Sequence, residues 1–155
     1  MVENKAYEWI LDILESKDIP YLICGGLAAI AYGSKRPLND IDVFVSKANY
    51  RDLVEQGREY VTFGPERYKD QFWNIDYVQF TVGGQKIEIG SNDRAKIFDA
   101  TKNEWVPISI DFDSYSIIRV LGKEARIMKK SELIEYKRKL GREVDIVDIN
   151  QIKNA

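Results

Sequence analysis

Hydrophobic and polar positions change period several times along this chain, and each change marks an element. Tyr7, Ile10, Leu11 and Leu14 recur at three- and four-residue spacing, which predicts an amphipathic helix over 3–16. Ser16–Pro20 closes it, and Tyr21–Cys24 reads as a short buried strand. Gly26–Tyr32 is rich in Ala and Leu, good helix formers whose small side chains let a helix approach a sheet closely. Gly33 stops that helix, Ser34–Asn39 with Pro37 is a loop, and Ile41–Val45 is a strand. Ser46 predicts the N-cap of a helix reaching Gln56, with Gly57 as its stop. Tyr60–Phe63 reads as a short strand and Gly64-Pro65 as a turn. Asp76–Val82 alternates cleanly, Gly83-Gly84 follows, and Gln85–Ile89 resumes the pattern; strand, Gly-Gly, strand is a hairpin signal.

Beyond that hairpin the pattern is less regular. Asp93–Phe98 reads as a helix and Lys102–Asp113 as a loop with an extended piece. Ile117–Leu121 and Ala125–Met128 flank Gly122-Lys123 as a second hairpin. Ser131 predicts a cap for a helix to Leu140, Gly141 breaks it, and Glu143–Ile152 is a final helix. No repeat, low-complexity tract or linker interrupts the chain. The expectation is one α+β domain over 1–155, a mixed, twisted β-sheet flanked by α-helices.

Composition narrows the chemistry. At 155 residues, with 45% hydrophobic and 31% charged positions, the chain can bury a core and is not disordered. No apolar run approaches the roughly 20 residues that span a bilayer. The start, MVENKAYEWILDILE, is acidic and amphipathic, unlike a signal peptide. The single Cys24 excludes an internal disulfide and a multi-cysteine zinc site, so the expected address is the cytoplasm, with no membrane partner. Histidine is absent altogether. That removes Ser-His-Asp and Cys-His catalysis and leaves carboxylates, Lys, Arg, Tyr and hydroxyls, groups suited to hard cations such as Mg2+ or Mn2+. A net charge of −2 argues against duplex nucleic acid as a partner.

Within those limits one stretch stands out. Residues i and i+2 of a strand share a face, so Asp40 and Asp42 project side by side, opposite Ile41, Val43 and Val45. Upstream, the amides of Gly25-Gly26 and the start of the following helix offer N–H donors to phosphates. Glu88 stands between Ile87 and Ile89, and an acid so flanked faces a cleft because burying it unpaired is costly. If its strand lies beside the Asp40/Asp42 strand, the three carboxylates converge and can hold two divalent ions about 3.5–4 Å apart. Glu88 then either bridges the second ion or acts as general base toward an acceptor hydroxyl. Arg36 can clamp a phosphate. Lys137 sits on or beside the apolar stripe of its helix, where it either snorkels or points into a phosphate-filled cleft. Each feature also has a plain reading: Gly-Gly is a common turn, Asp-x-Asp often ends a strand in solvent, and Cys24 is a small core residue. Arg142, Asp145 and Asp148 read as an ion-pair lattice tying the last helices together. Trp73 and Tyr77 could stack a base. Asp111-Phe112-Asp113 is a second Asp-x-Asp without an upstream glycine turn, and reads as a loop.

Gly25-Gly26, a helix, Asp40-Ile41-Asp42-Val43 and a later strand acid together resemble the polymerase-β-like nucleotidyltransferase superfamily. More narrowly the chain is similar to its small stand-alone bacterial and archaeal members, of minimal, toxin- or antitoxin-associated and antibiotic-modifying type. Arg36-x-x-x-Asp40-Ile41-Asp42 and the tail from Leu133 through Lys137, Gly141-Arg142, Asp145 and Asp148 fit the same group. The likeness spans about 20–150, with the core motif in 21–90 and the C-terminal helices in 131–153. It implies transfer of a nucleoside monophosphate from an NTP to a hydroxyl, usually with magnesium, and release of pyrophosphate. Asp40, Asp42 and Glu88 would be the catalytic and metal-binding acids; Gly25, Gly26, Arg36 and Lys137 would meet the nucleotide phosphates. The acceptor could be a small molecule, a protein or an RNA end, and a homo-oligomer or a toxin/antitoxin-type partner would complete its site. The competing readings are a non-catalytic regulatory or antitoxin-like module of the same fold, and a sugar transferase that uses Asp-x-Asp to hold a metal and a nucleotide sugar.

Overall fold

The computed structural model describes residues 4–155. Asn4 caps the first helix, α1 (Lys5–Ser16), by accepting from the Tyr7 amide at 3.0 Å. Tyr7, Ile10, Leu11 and Leu14 are its buried face, as the spacing predicts, while Glu3 lies outside the described residues. A fully buried Leu or Ile contributes roughly 1.5–3 kcal/mol relative to exposure, so this stripe is what holds α1 on the sheet. The chain continues through β1 (Tyr21–Cys24), α2 (Gly25–Ala31), β2 (Asp40–Val45) and α3 (Lys47–Gln56). A 3₁₀ turn at Arg58–Tyr60 leads into β3 (Val61–Lys69), β4 (Trp73–Val82), β5 (Gln85–Asp99) and β6 (Glu104–Pro107). The last elements are β7 (Ser116–Val120), β8 (Lys123–Ile127), α4 (Lys130–Leu140) and α5 (Glu143–Lys153).

Among the described residues the strands form one eight-stranded sheet in the order β3-β4-β5-β2-β1-β8-β7, with β6 added on β5. Pairing is parallel for β2 with β5 and β1 with β8, and antiparallel elsewhere, so the sheet is mixed. Helices pack against it over a core that runs from Tyr7, Ile10 and Leu14 through Ile23, Ile41, Val43, Phe80, Ile87 and Ile127. Trp9 meets Phe80 and Tyr60 edge to face at 5.3 and 5.2 Å.

Three expectations need correction. Asp93–Phe98 is strand, not helix: Ala95, Ile97 and Asp99 point inward while Arg94 and Lys96 are exposed, a period of two that a helical reading overlooks. Gly64-Pro65 is no turn between strands but a shift of register inside the longer β3. The helix α4 has its N-cap at Lys129 and not at Ser131, with no side-chain cap bond. Ser46 does hold the N-cap position of α3, yet its hydroxyl accepts from the Asn49 side chain at 2.9 Å instead of a backbone amide.

Candidate active site

β1 runs straight into α2 at Gly25, whose φ of +62° belongs to the left-handed region. A side chain there is excluded twice over. A Cβ would overlap Asp42 Oδ2 and lie 2.9 Å from its Cγ, so only bare backbone can meet this carboxylate. Gly26 plays the same part for Arg36, whose Cζ stands 3.1 Å from where a Cβ would be. The glycine pair is therefore the surface against which an acid and a base are laid.

Sheet register gathers the remaining acids. Cys24 pairs with Asp42, Asp42 with Glu88, Glu88 with Gln79 and Gln79 with Phe63. One row of residues thus crosses five strands, β1-β2-β5-β4-β3, and all five line the same cavity of about 610 Å³. Asp40, two residues up β2, lines it as well, as do Gly25, Gly26, Arg36 and Lys137. Every residue singled out from the sequence as catalytic, metal-ligating or phosphate-binding borders this one space. Asp111 and Asp113 do not; both are exposed, and Asp111 Oδ1 merely accepts from the Asp113 amide at 2.9 Å.

Burial and crowding of like charge set the electrostatics. Burial raises the Asp42 pKa well above the usual carboxylate value, and the neighbouring Glu88 raises it further by its charge and by a hydrogen bond between the two carboxyls. Burial and Glu88 raise Asp40 too, against the opposing pull of Lys86 and Arg36. Tyr77 donates to Glu88 Oε1 at 2.9 Å, and Gln79 Nε2 donates to the Tyr77 hydroxyl at 3.3 Å. Burial and the acid beside it push the Tyr77 phenol above its ordinary value. Burial and Asp42 likewise push the Cys24 thiol up, so it is a neutral core group and no nucleophile.

The donor set fits a hard divalent cation: three carboxylates and no histidine or thiolate. Asp42 and Glu88 are register partners on adjacent parallel strands, and a cation between such carboxylates would offset the repulsion of their like charges. Among the described residues no three ligating side chains already stand as a closed metal cluster.

Behind the acids lies a ladder of alternating charge. Arg36 Nη1 donates to Asp148 Oδ2 at 2.9 Å, and Lys137 Nζ stands 2.9 Å from that oxygen and 3.6 Å from Asp145 Oδ1. Arg142 closes the series with two bonds to Asp145, at 2.7 and 3.1 Å. Lys137, Asp145 and Asp148 are fully buried. The lattice expected at the C-terminus is therefore real but differently wired. Asp148 reaches across to α4 and to the loop after α2 and makes no bond to Arg142.

To Trp73, Tyr77 and Arg142, named from the sequence, the wall adds Phe63, Tyr68 and Tyr136, which the sequence did not assign to the site. Tyr136 is half-buried beside the acids and accepts from Trp73 Nε1 at 2.9 Å; Arg142 lies over Trp73 and Phe72 at 5.0 and 5.6 Å. Phe63, Tyr68 and Tyr77 form a cluster of rings with centroids 5.4–6.2 Å apart. Alternation along β4 marks Trp73, Ile75, Tyr77 and Gln79 as one face, a signal present in the sequence; the approach of Tyr136 from α4 has none.

Glycine-turn helix, Asp-x-Asp strand, parallel acid-bearing strand and flanking helices together define a nucleotidyltransferase fold. Solved structures share it along almost the whole chain. A Thermotoga maritima protein assigned as a nucleotidyltransferase superposes with a TM-score of 0.70 at 15% identity, over 98% of this chain and 95% of that one. The lincosamide antibiotic adenylyltransferase LnuA, in its lincomycin-bound structure, gives 0.64 at 17%, over 98% and 97%. ANT(2'')-Ia in complex with adenylyl-2''-tobramycin gives 0.61 at 14%, over 97% and 87%. No family model matches the sequence, and no curated protein does. No helix among the described residues is long and apolar enough to cross a membrane.

Proposed function

We propose that this chain, as one domain, transfers a nucleoside monophosphate from an NTP to a hydroxyl of a small-molecule acceptor and releases pyrophosphate, with Mg2+ or Mn2+ held by Asp40, Asp42 and Glu88. The observation that carries the reading is the row in which Asp42 and Glu88 pair across parallel strands directly against the bare backbone of Gly25. A divalent ion there supplies charge to the phosphate oxygens and lowers the pKa of the attacking hydroxyl.

The chain's own groups do the rest. Gly25 and Gly26 let the Asp42 carboxyl and the Arg36 guanidinium lie against their backbone, so that phosphate meets Arg36 at the cavity, with Lys137 adding positive charge from behind. Attacking and leaving oxygens stand roughly in line in phosphoryl-type transfers, so pyrophosphate leaving on the Arg36 side requires the acceptor to enter from the opposite side. That side is the wall of Tyr77, Tyr68 and Phe63, where Glu88 takes the proton of the acceptor hydroxyl. The end of the cavity lined by Trp73, Tyr136 and Arg142 then suits the base, a flat ring near aromatic side chains. ATP as donor and a hydroxylated small molecule as acceptor are supported by the two antibiotic adenylyltransferases that share the fold. The intracellular nucleotide pool makes the cytoplasm the address, and a second copy of the chain is the partner that would complete the acceptor side.

Calorimetry with each of the four NTPs and magnesium, followed by α-phosphate-labelled NTP in a cell extract, tests the proposal. Saturable binding of one NTP and a labelled small product, both lost in Asp42→Ala, is the expected result. No binding and no labelled product from any NTP rejects it.

A further inference from the structure

We infer that Asp148, near the end of the chain, is a positioning residue for the nucleotide: through buried ion pairs it fixes Arg36 against Gly26 at the phosphate side of the cavity. This rests on the proposed nucleotide chemistry. Asp148 itself does not line the cavity. It is fully buried and collects three donors from two other elements, Ser34 Oγ at 3.1 Å, Arg36 Nη1 at 2.9 Å and Lys137 Nζ at 2.9 Å. The arginine side chain keeps 19% of its surface, so one edge of its guanidinium is committed to Asp148 while the rest remains at the cavity.

Lys137 cannot take over that contact. Its side chain is 2% exposed, and its ammonium is held by both Asp148 and Asp145. With both carboxylates ionised, three cations and two anions leave the ladder one net positive charge. The two arginines at its ends, Arg36 and Arg142, both border the cavity. Arg36 springs from the polar loop between α2 and β2, flanked by exposed Lys35 and Pro37. A long side chain from such a loop has many rotamers, and ordering it only when nucleotide arrives would cost binding free energy. Asp148 settles that orientation during folding, which is the preorganisation that makes a fixed charge effective toward a developing one.

The test separates orientation from net charge. Each of ATP, GTP, CTP and UTP is titrated calorimetrically with magnesium into the native chain, then the tightest binder and its nucleoside into the variants. Asp148→Asn is expected to weaken triphosphate binding at least tenfold and to leave nucleoside binding unchanged. Because that variant leaves Lys137 short of a partner and could unfold, the Lys137→Met/Asp148→Asn double variant is the decisive one. It removes one charge of each sign, so the ladder keeps its net charge while Arg36 loses its anchor; the Lys137→Met single variant, in which Asp148 still holds Arg36, measures what loss of the Lys137 charge alone costs. A native-like melt with triphosphate binding at least tenfold weaker than in Lys137→Met supports the inference. A folded double variant that binds triphosphate as tightly as Lys137→Met overturns it and leaves the proposed function standing. A native chain that binds no triphosphate takes down both.

Discussion

Replacing Gly25 with alanine separates two effects that the structure superimposes at that position. The first is backbone strain: a residue with a Cβ in the left-handed region costs about 1–2 kcal/mol. Gly83 measures that cost alone, since its φ is +56° and nothing lies within 4 Å of its added Cβ. Gly83→Ala should therefore lower Tm by about 2–8 °C, at the 2–4 °C per kcal/mol expected for a chain of this size. Gly25→Ala carries the same strain at φ +62° and adds the collision with the Asp42 carboxyl. Forcing a group aside in a packed site costs about 1–3 kcal/mol, which brings the total to roughly 2–5 kcal/mol and the fall in Tm to about 4–20 °C. Both variants are melted by circular dichroism and assayed for transfer of α-phosphate label. Gly83→Ala should keep full transfer. Gly25→Ala should lose nearly all of it even well below its melting point, because Asp42 can no longer lie where Gly25 admits it. Equal melting shifts with intact transfer in both would show that Asp42 is not held against Gly25, and the description of the site would be wrong.

Asp42→Asn should stabilise the metal-free protein at pH 7.5 while abolishing transfer. The Asp42 pKa is raised in the folded chain, so its ionised form is disfavoured there; that penalty grows as pH rises from the unfolded value through the raised one. The thermal advantage of the variant should therefore shrink toward pH 4, and an advantage independent of pH would contradict the assignment. Lys137→Met strands two buried carboxylates, although each retains an arginine, and should cost about 3–5 kcal/mol, read as a fall of roughly 6–20 °C in Tm. A change below 2 °C would mean that the ladder is not a structural unit. Asp111→Ala, in the other Asp-x-Asp, should leave stability within about 0.5 kcal/mol and transfer unchanged, because its carboxylate is exposed and away from the cavity.

Much of this site can be read in the chain because its signals are local. The pair Asp40 and Asp42, the glycines before α2 and the hairpin at Gly83-Gly84 each follow from spacing and turn chemistry over a few residues. What lies between them is not local. That Glu88 pairs with Asp42 depends on β2 and β5 running parallel, a contact between segments 46 positions apart that spacing alone cannot fix. Lys137 illustrates the limit best. Its place on an apolar helix face signals burial, but its choice of carboxylate depends on how α5 folds back on α4. Asp93–Phe98 failed for another reason: six residues with one bulky apolar pair suit either period, and the continued pairing of β4 with β5 decides for strand.

The proposed reaction transfers an α-phosphorus, and not a γ-phosphorus. The most direct measurement supplies the native chain, magnesium and cell extract with one NTP labelled at the α-phosphate and, in parallel, at the γ-phosphate. α-Label is expected on a small-molecule product, γ-label only in pyrophosphate, and neither with Asp42→Ala. γ-Label on the acceptor, or α-label transfer that persists in Asp42→Ala, would contradict it.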